Sequence, residues 1–92
     1  MSTNFSKYSE KIINMVEPAQ IRMARAALNM SVRSLAEQSG VAESTIHRFE
    51  TNRGGMHTNT LSKLQSTLEK AGIVFLAAGE DGGIGVRLTR LV

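Results

Sequence analysis

From residue 18 to residue 72 of this 92-residue chain the apolar positions recur three and four apart, and beyond residue 72 they alternate or run together. The first spacing is that of one face of a helix, the second that of strands. Pro18 suits the first turn of a helix, where its missing N–H would have had no partner, and the stripe Ile21, Ala24, Arg25 and Leu28 extends that helix to about Leu28. Arg25 stands on the apolar stripe and needs a partner. Ser31 is a good N-cap for a second helix reaching about Ser39, with Val32, Leu35 and Ala36 inside, and Gly40 supplies the left-handed conformation that ends it. A third helix begins near Glu43, whose charge favours the N-terminal dipole, and runs to about Thr51. After the turn "NRGGMH", Thr58 or Asn59 caps a fourth helix, with Leu61, Leu64 and Leu68 inside and Gly72 closing it. "IVFLAA" and "IGVRL" read as strands, joined by the hairpin signal "GEDGG". Before Pro18, the spacing of Phe5, Tyr8, Ile12 and Val16 is only weakly helical, so residues 1–17 are expected to form an arm or a short helix.

Two short helices joined by about three residues, with glycine at the bend, describe a helix-turn-helix. Ala36 then permits a close crossing of the two helices of this motif. At 100° per residue, the third helix turns Ile46 and Phe49 inward and Ser44, His47, Arg48 and Thr51 outward, with Glu50 on the flank of the inner face. Arg25 and Glu50 are thus charges bordering the core from two helices. Such groups are tolerated there only when paired, and an arginine–carboxylate bridge satisfies both.

Composition narrows the reading. A chain of this length buries only about 60 to 65% of the surface that it exposes when unfolded, so oligomerisation is an expected supplement to its stability. There is no cysteine, hence neither a disulfide nor a thiolate metal site. The longest apolar run is too short to span a bilayer, and "MSTNFSKYSE" lacks the basic-then-apolar order of a signal peptide, which predicts a cytoplasmic protein with no membrane partner. The net charge of +3 is localised: Gln20 to Lys63 hold six basic residues against three acidic ones, while both flanks are neutral. A local basic surface is the footprint of an element that binds phosphates.

The stretches "QIRMARAALNMS" and "LAEQSGVAESTIHRFE" resemble the first helix and the helix-turn-helix of the Xre family of Cro/repressor-type regulators. The resemblance covers roughly Gln20 to Leu68 and implies a mainly α fold, a four-helix Cro/repressor-type domain followed here by a C-terminal β-hairpin. It implies the ion pair of Arg25 with Glu50, base reading by Glu43, Ser44 and Arg48, and phosphate contacts from Thr45 and the loop after the third helix. One departure stands at Val32, where the family often has a polar phosphate ligand; Ser31 or Arg33 would serve instead. The chemistry of the residues agrees with DNA as partner. Arg48 suits guanine O6 and N7, Ser44 or His47 suits base edges, and Glu43 suits a cytosine amino group, although its place at the helix dipole is an equal explanation. Thr45, Asn52, Arg53 and the amides near Gly54 and Gly55 suit phosphates, which give register without sequence information.

Other chemistry is poorly represented. His47 and His57 have no carboxylate or thiol at ligand spacing, "GEDGGIG" lacks the G-x-G-x-x-G spacing, and no Ser/His/Asp set is legible, so no metal, cofactor or enzymatic activity is expected. Met15, Met23, Met30 and Met56 are taken as core or loop residues. In "IVFLAA" both faces are apolar, Ile73 and Phe75 on one and Val74 and Leu76 on the other, and one domain covers only one face. The hairpins of two chains are therefore expected to meet across a two-fold axis through Val74 and Leu76. This divides the chain into an arm (1–17), a DNA-binding domain (18–72) and a dimerising hairpin (73–92). Similar strands occur in antitoxins of the HipA/HipB type, which implies a toxin protein as partner in the alternative reading, with autoregulation of the operon. The leading expectation is a repressor that binds an inverted-repeat operator as a homodimer.

Overall fold

A computed structural model of the chain describes residues 16–89. The expected arm lies, apart from Val16 and Glu17, outside the described residues. Four helices follow, α1 (Pro18–Leu28), α2 (Val32–Ser39), α3 (Glu43–Glu50) and α4 (Thr58–Lys70), and then two strands, β1 (Ile73–Leu76) and β2 (Gly85–Leu88).

Local chemistry sets most of these boundaries. The Glu17 N–H donates to Gln20 Oε1 at 2.8 Å, tying down the start of α1 beside Pro18. Asn29, left-handed at φ 55°, ends the helix. The Ser34 N–H donates to Ser31 Oγ at 2.9 Å, capping α2, and Gly40 at φ 77° closes it with its N–H on the Ala36 carbonyl. The expected cap of α4 is corrected. His57 holds the capping position without a side-chain hydrogen bond, because its carbonyl already accepts from the Leu61 N–H at 2.9 Å and Thr58 is the first helical residue. Gly72 follows α4 at φ 112°, a conformation that favours glycine, and turns the chain into β1.

The strands are antiparallel, pairing Ile73 with Leu88, Val74 with Arg87, Phe75 with Val86 and Leu76 with Gly85. They are shorter than the apolar runs predict: Ala77, Ala78 and Ile84 lie outside the ladder. Gly79 and Gly82 face each other through two backbone hydrogen bonds across the Glu80–Asp81 tip. Ile73 and Phe75 are almost wholly buried and join the core formed by Ile21, Leu35, Ile46, Leu64 and Leu68. Val74 and Leu76, on the opposite face, are half-buried. Helices and hairpin thus share one core, and burial of Phe75 alone contributes about 1.5–3 kcal/mol.

Candidate nucleic-acid interface

Helix α3 is fixed from behind and open in front. Ile46 is wholly buried and Phe49 nearly so, whereas Glu43, Ser44, His47 and Arg48 are exposed and Thr45 is half-buried. Ala36 of α2 is half-buried against the same core and leaves room for α3 to approach.

Helix α1 holds the far end of α3. Arg25 Nε donates to Glu50 Oε2 and Arg25 Nη2 to Glu50 Oε1, both at 2.7 Å, a bidentate pair in which the side chains are 22% and 5% exposed. The third nitrogen of the guanidinium, Nη1, donates to the Met30 carbonyl at 2.9 Å. The hydrogen bond with Glu50 pushes the Arg25 pKa above its already high ordinary value; the carboxylate charge adds to this and burial works against it. Arg22 donates in turn to the Glu50 main-chain carbonyl, meeting the negative end of α3 with a cation. Two arginines of α1 thereby fix the axis of the helix that faces outward.

The loop after α3 starts at Asn52, left-handed at φ 61°, and the Arg53 N–H donates to the Arg48 carbonyl at 2.9 Å. Asn52 and Arg53 are both exposed. The aliphatic stem of Arg48 lies over Gly54, where an added Cβ would stand 3.6 Å from its Cδ. Ser31 is exposed but its hydroxyl is engaged as the α2 cap, and Arg33 faces Glu37 at 3.8 Å on an exposed surface. Ser31 therefore has its hydroxyl committed to the fold, whereas the Arg33 side chain is 79% exposed and only loosely paired.

Beside α3 opens a cleft of about 460 Å³. Thr45 and Arg48 of α3, Thr60 and Lys63 of α4, and the loop residues Met56 and His57 are among the residues that line it. Among the described residues no carboxylate lines it. Thr60 and Lys63 are not among the residues singled out by sequence. They lie one turn apart on one face of α4, but only the packing of α4 against the helix-turn-helix brings that face beside Arg48.

Gln20 was also missed as a structural residue. Its amide nitrogen donates to the carbonyls of Leu76 at 2.9 Å and Gly85 at 3.0 Å. Met23 corrects the reading of the methionines, being 39% exposed on the outer side of α1, while Met30 and Met56 pack partly against the core and Met15 lies outside the described residues. Among the described residues no three of His, Cys, Asp and Glu come together in a way that would hold a metal ion, and no helix is long and apolar enough to cross a membrane.

The fold and the clamped, outward-facing α3 define a helix-turn-helix protein of the DNA-binding class. A family model for the helix-turn-helix of the Cro/C1 type matches residues 21–71, just over half of the chain. The chain belongs to this Xre-like family and is a DNA-binding transcriptional regulator, of a family that is regulatory and not enzymatic. No curated protein matches it.

Proposed function

We propose that the chain is a sequence-specific repressor that binds an inverted-repeat operator as a homodimer. The observation that carries this reading is the contrast across α3: Ser44, His47 and Arg48 are exposed on a helix that Arg22 and Arg25 anchor from behind through Glu50. In the major groove Arg48 reads guanine, Ser44 and His47 reach base edges, and Glu43 faces a cytosine amino group. Thr45, Asn52 and Arg53 meet phosphates, joined from α2 by Ser31 and Arg33. The half-buried pair Val74 and Leu76 supports the dimer, because these side chains point away from the core and offer an apolar strip to a second copy.

Binding selection from random duplex DNA, run beside sedimentation of the free protein, tests the proposal. The expected result is a dimer that enriches an inverted repeat with half-site centres about 10 bp apart. Enrichment of no sequence would overturn specific recognition, and enrichment of isolated half-sites by a monomer would overturn the dimer. The same apolar strip favours a second reading, an antitoxin that holds a toxin protein and autoregulates its operon. That reading requires a toxin-like reading frame beside the gene.

A further inference from the structure

Gln20 is only 2% exposed, and both ends of its amide are used. Its oxygen accepts from the Glu17 N–H at 2.8 Å, and its nitrogen donates to the Leu76 and Gly85 carbonyls at 2.9 and 3.0 Å. Leu76 and Gly85 are the register pair at the loop end of the ladder, one from each strand. A single side chain of α1 therefore grips both strands where their own pairing stops. Two residues further along, Arg22 binds the Glu50 carbonyl, and Arg25 binds the Glu50 carboxylate. Helix α1 is thus joined to the hairpin on one side and to α3 on the other by directional bonds.

Direction is what apolar packing lacks. Burial of Ile73 and Phe75 holds the hairpin against the helices, but it resists rotation only weakly, because the hydrophobic effect scales with area and not with angle. Hydrogen bonds weaken steeply as they bend. Two of them, to carbonyls on different strands, fix the roll of the hairpin on α1.

We propose that Gln20 is a positioning residue for operator recognition: by pinning both strands of the hairpin to α1, it sets the angle between the two α3 helices of a dimer and hence the half-site spacing that the protein accepts. This rests on the hairpin-mediated homodimer proposed above. In a two-fold dimer a roll of the hairpin occurs in both copies, so the error at the two reading helices is doubled. A shift of one base pair moves a half-site by about 3.4 Å along the duplex and also turns it around the axis. A loosened joint accommodates that shift; a fixed one makes the DNA deform.

The test uses the full chain with Gln20→Met, which removes the whole amide, and Gln20→Glu, which keeps an acceptor for the Glu17 N–H but turns a second oxygen toward the two strand carbonyls in place of the donors. Each variant is put through selection from random duplex DNA alongside the unaltered chain, with sedimentation and a thermal melt of each. The expected result is an unchanged half-site sequence but loss of on the order of tenfold in discrimination between spacings one base pair apart. Dimeric variants that select the same single spacing as sharply as the unaltered chain would overturn the role of Gln20 and leave the dimer standing. An unaltered chain that sediments as a monomer would overturn the dimer, and this proposal with it. Failure of both variants to fold would also overturn the proposal, since Gln20 would then be a residue of stability and not of spacing.

Discussion

Helix α3 and the β-hairpin are both attached to α1, and the two attachments leave opposite outer surfaces. Helix α3 is held through charge, with Arg22 and Arg25 gripping Glu50, and its exposed face carries hydroxyl, imidazole and guanidinium groups. The hairpin is held mainly by burying Ile73 and Phe75, and its outer face carries the half-buried Val74 and Leu76 beside the exposed Arg87. Hydrogen-bonding groups on a rigid helix match base edges and phosphates, which reward direction. An apolar strip matches another apolar strip, which rewards area. The way each element is anchored inside and the chemistry that it presents outside thus go together.

Neighbouring residues of β1 separate the inner from the outer role most strongly. Phe75→Ala empties a wholly buried site and is expected to lose about 3–5 kcal/mol of stability in urea unfolding. Leu76→Lys, one residue along, leaves the core untouched; it is expected to cost only what the dimer adds to stability, less than Phe75→Ala, while the dimer dissociates and operator affinity falls by about 10²–10⁴-fold. Equal effects of the two substitutions on stability would abolish the distinction between inner and outer faces. A dimeric Leu76→Lys chain with full affinity would move the interface elsewhere.

Much of this organisation is legible in the sequence because it is written locally. Pro18, Ser31 and Gly40 mark helix ends by their own stereochemistry, and the 100° step places Arg25 and Glu50 at the edge of the core, where each needs the other. Where the signal is not local, sequence reasoning stops. The start of α4 was misplaced because no side chain caps it, and the hydroxyl of Thr58 already belongs to the first turn. Gln20 looks like an ordinary first-turn residue, yet its amide reaches carbonyls 56 and 65 positions away. The cleft between Arg48 and Lys63 depends on how α4 packs and leaves no periodic trace.

The next effect concerns the charged anchor. Glu50→Ala leaves the Arg25 guanidinium largely buried without its carboxylate, and a loss of about 3 kcal/mol is expected in chemical unfolding. The double substitution Arg25→Met, Glu50→Leu is expected to recover much of it; a double variant less stable than either single one would refute the pairing as the source. The sign of the pH dependence follows from the raised Arg25 pKa. The charged form is the stabilised one, so its contribution is complete below the ordinary arginine range and is lost only as pH rises through the higher folded value. The penalty of Glu50→Ala is therefore expected to be the same at about pH 7 and about pH 9.

On the outer face the effects are smaller and fall on DNA. Arg48→Ala is expected to lower specific affinity by about 1–3 kcal/mol and to relax preference at one base pair per half-site, because a bidentate contact to guanine is removed. Arg48 also has a second place in the structure: its stem rests on Gly54 beside the cleft. Loss of affinity that is equal on all sequences would assign its guanidinium to a phosphate.

The smallest effect belongs to Arg53, and it separates register from reading. Arg53 is exposed just beyond the left-handed turn at Asn52, its N–H held by the Arg48 carbonyl, so its backbone is fixed while its side chain is free to follow the duplex. A contact of this kind releases counterions but carries no sequence information. Arg53→Ala is accordingly expected to weaken binding to the selected operator and to random duplex by the same factor, and to flatten the dependence of log affinity on log salt by about one unit per chain. Titrations at several salt concentrations on both duplexes provide the measurement, with Arg48→Ala as the control for a contact that discriminates. An unchanged slope would take Arg53 off the DNA, and a loss confined to the operator would make it a reader of bases, extending the recognition surface past the end of α3.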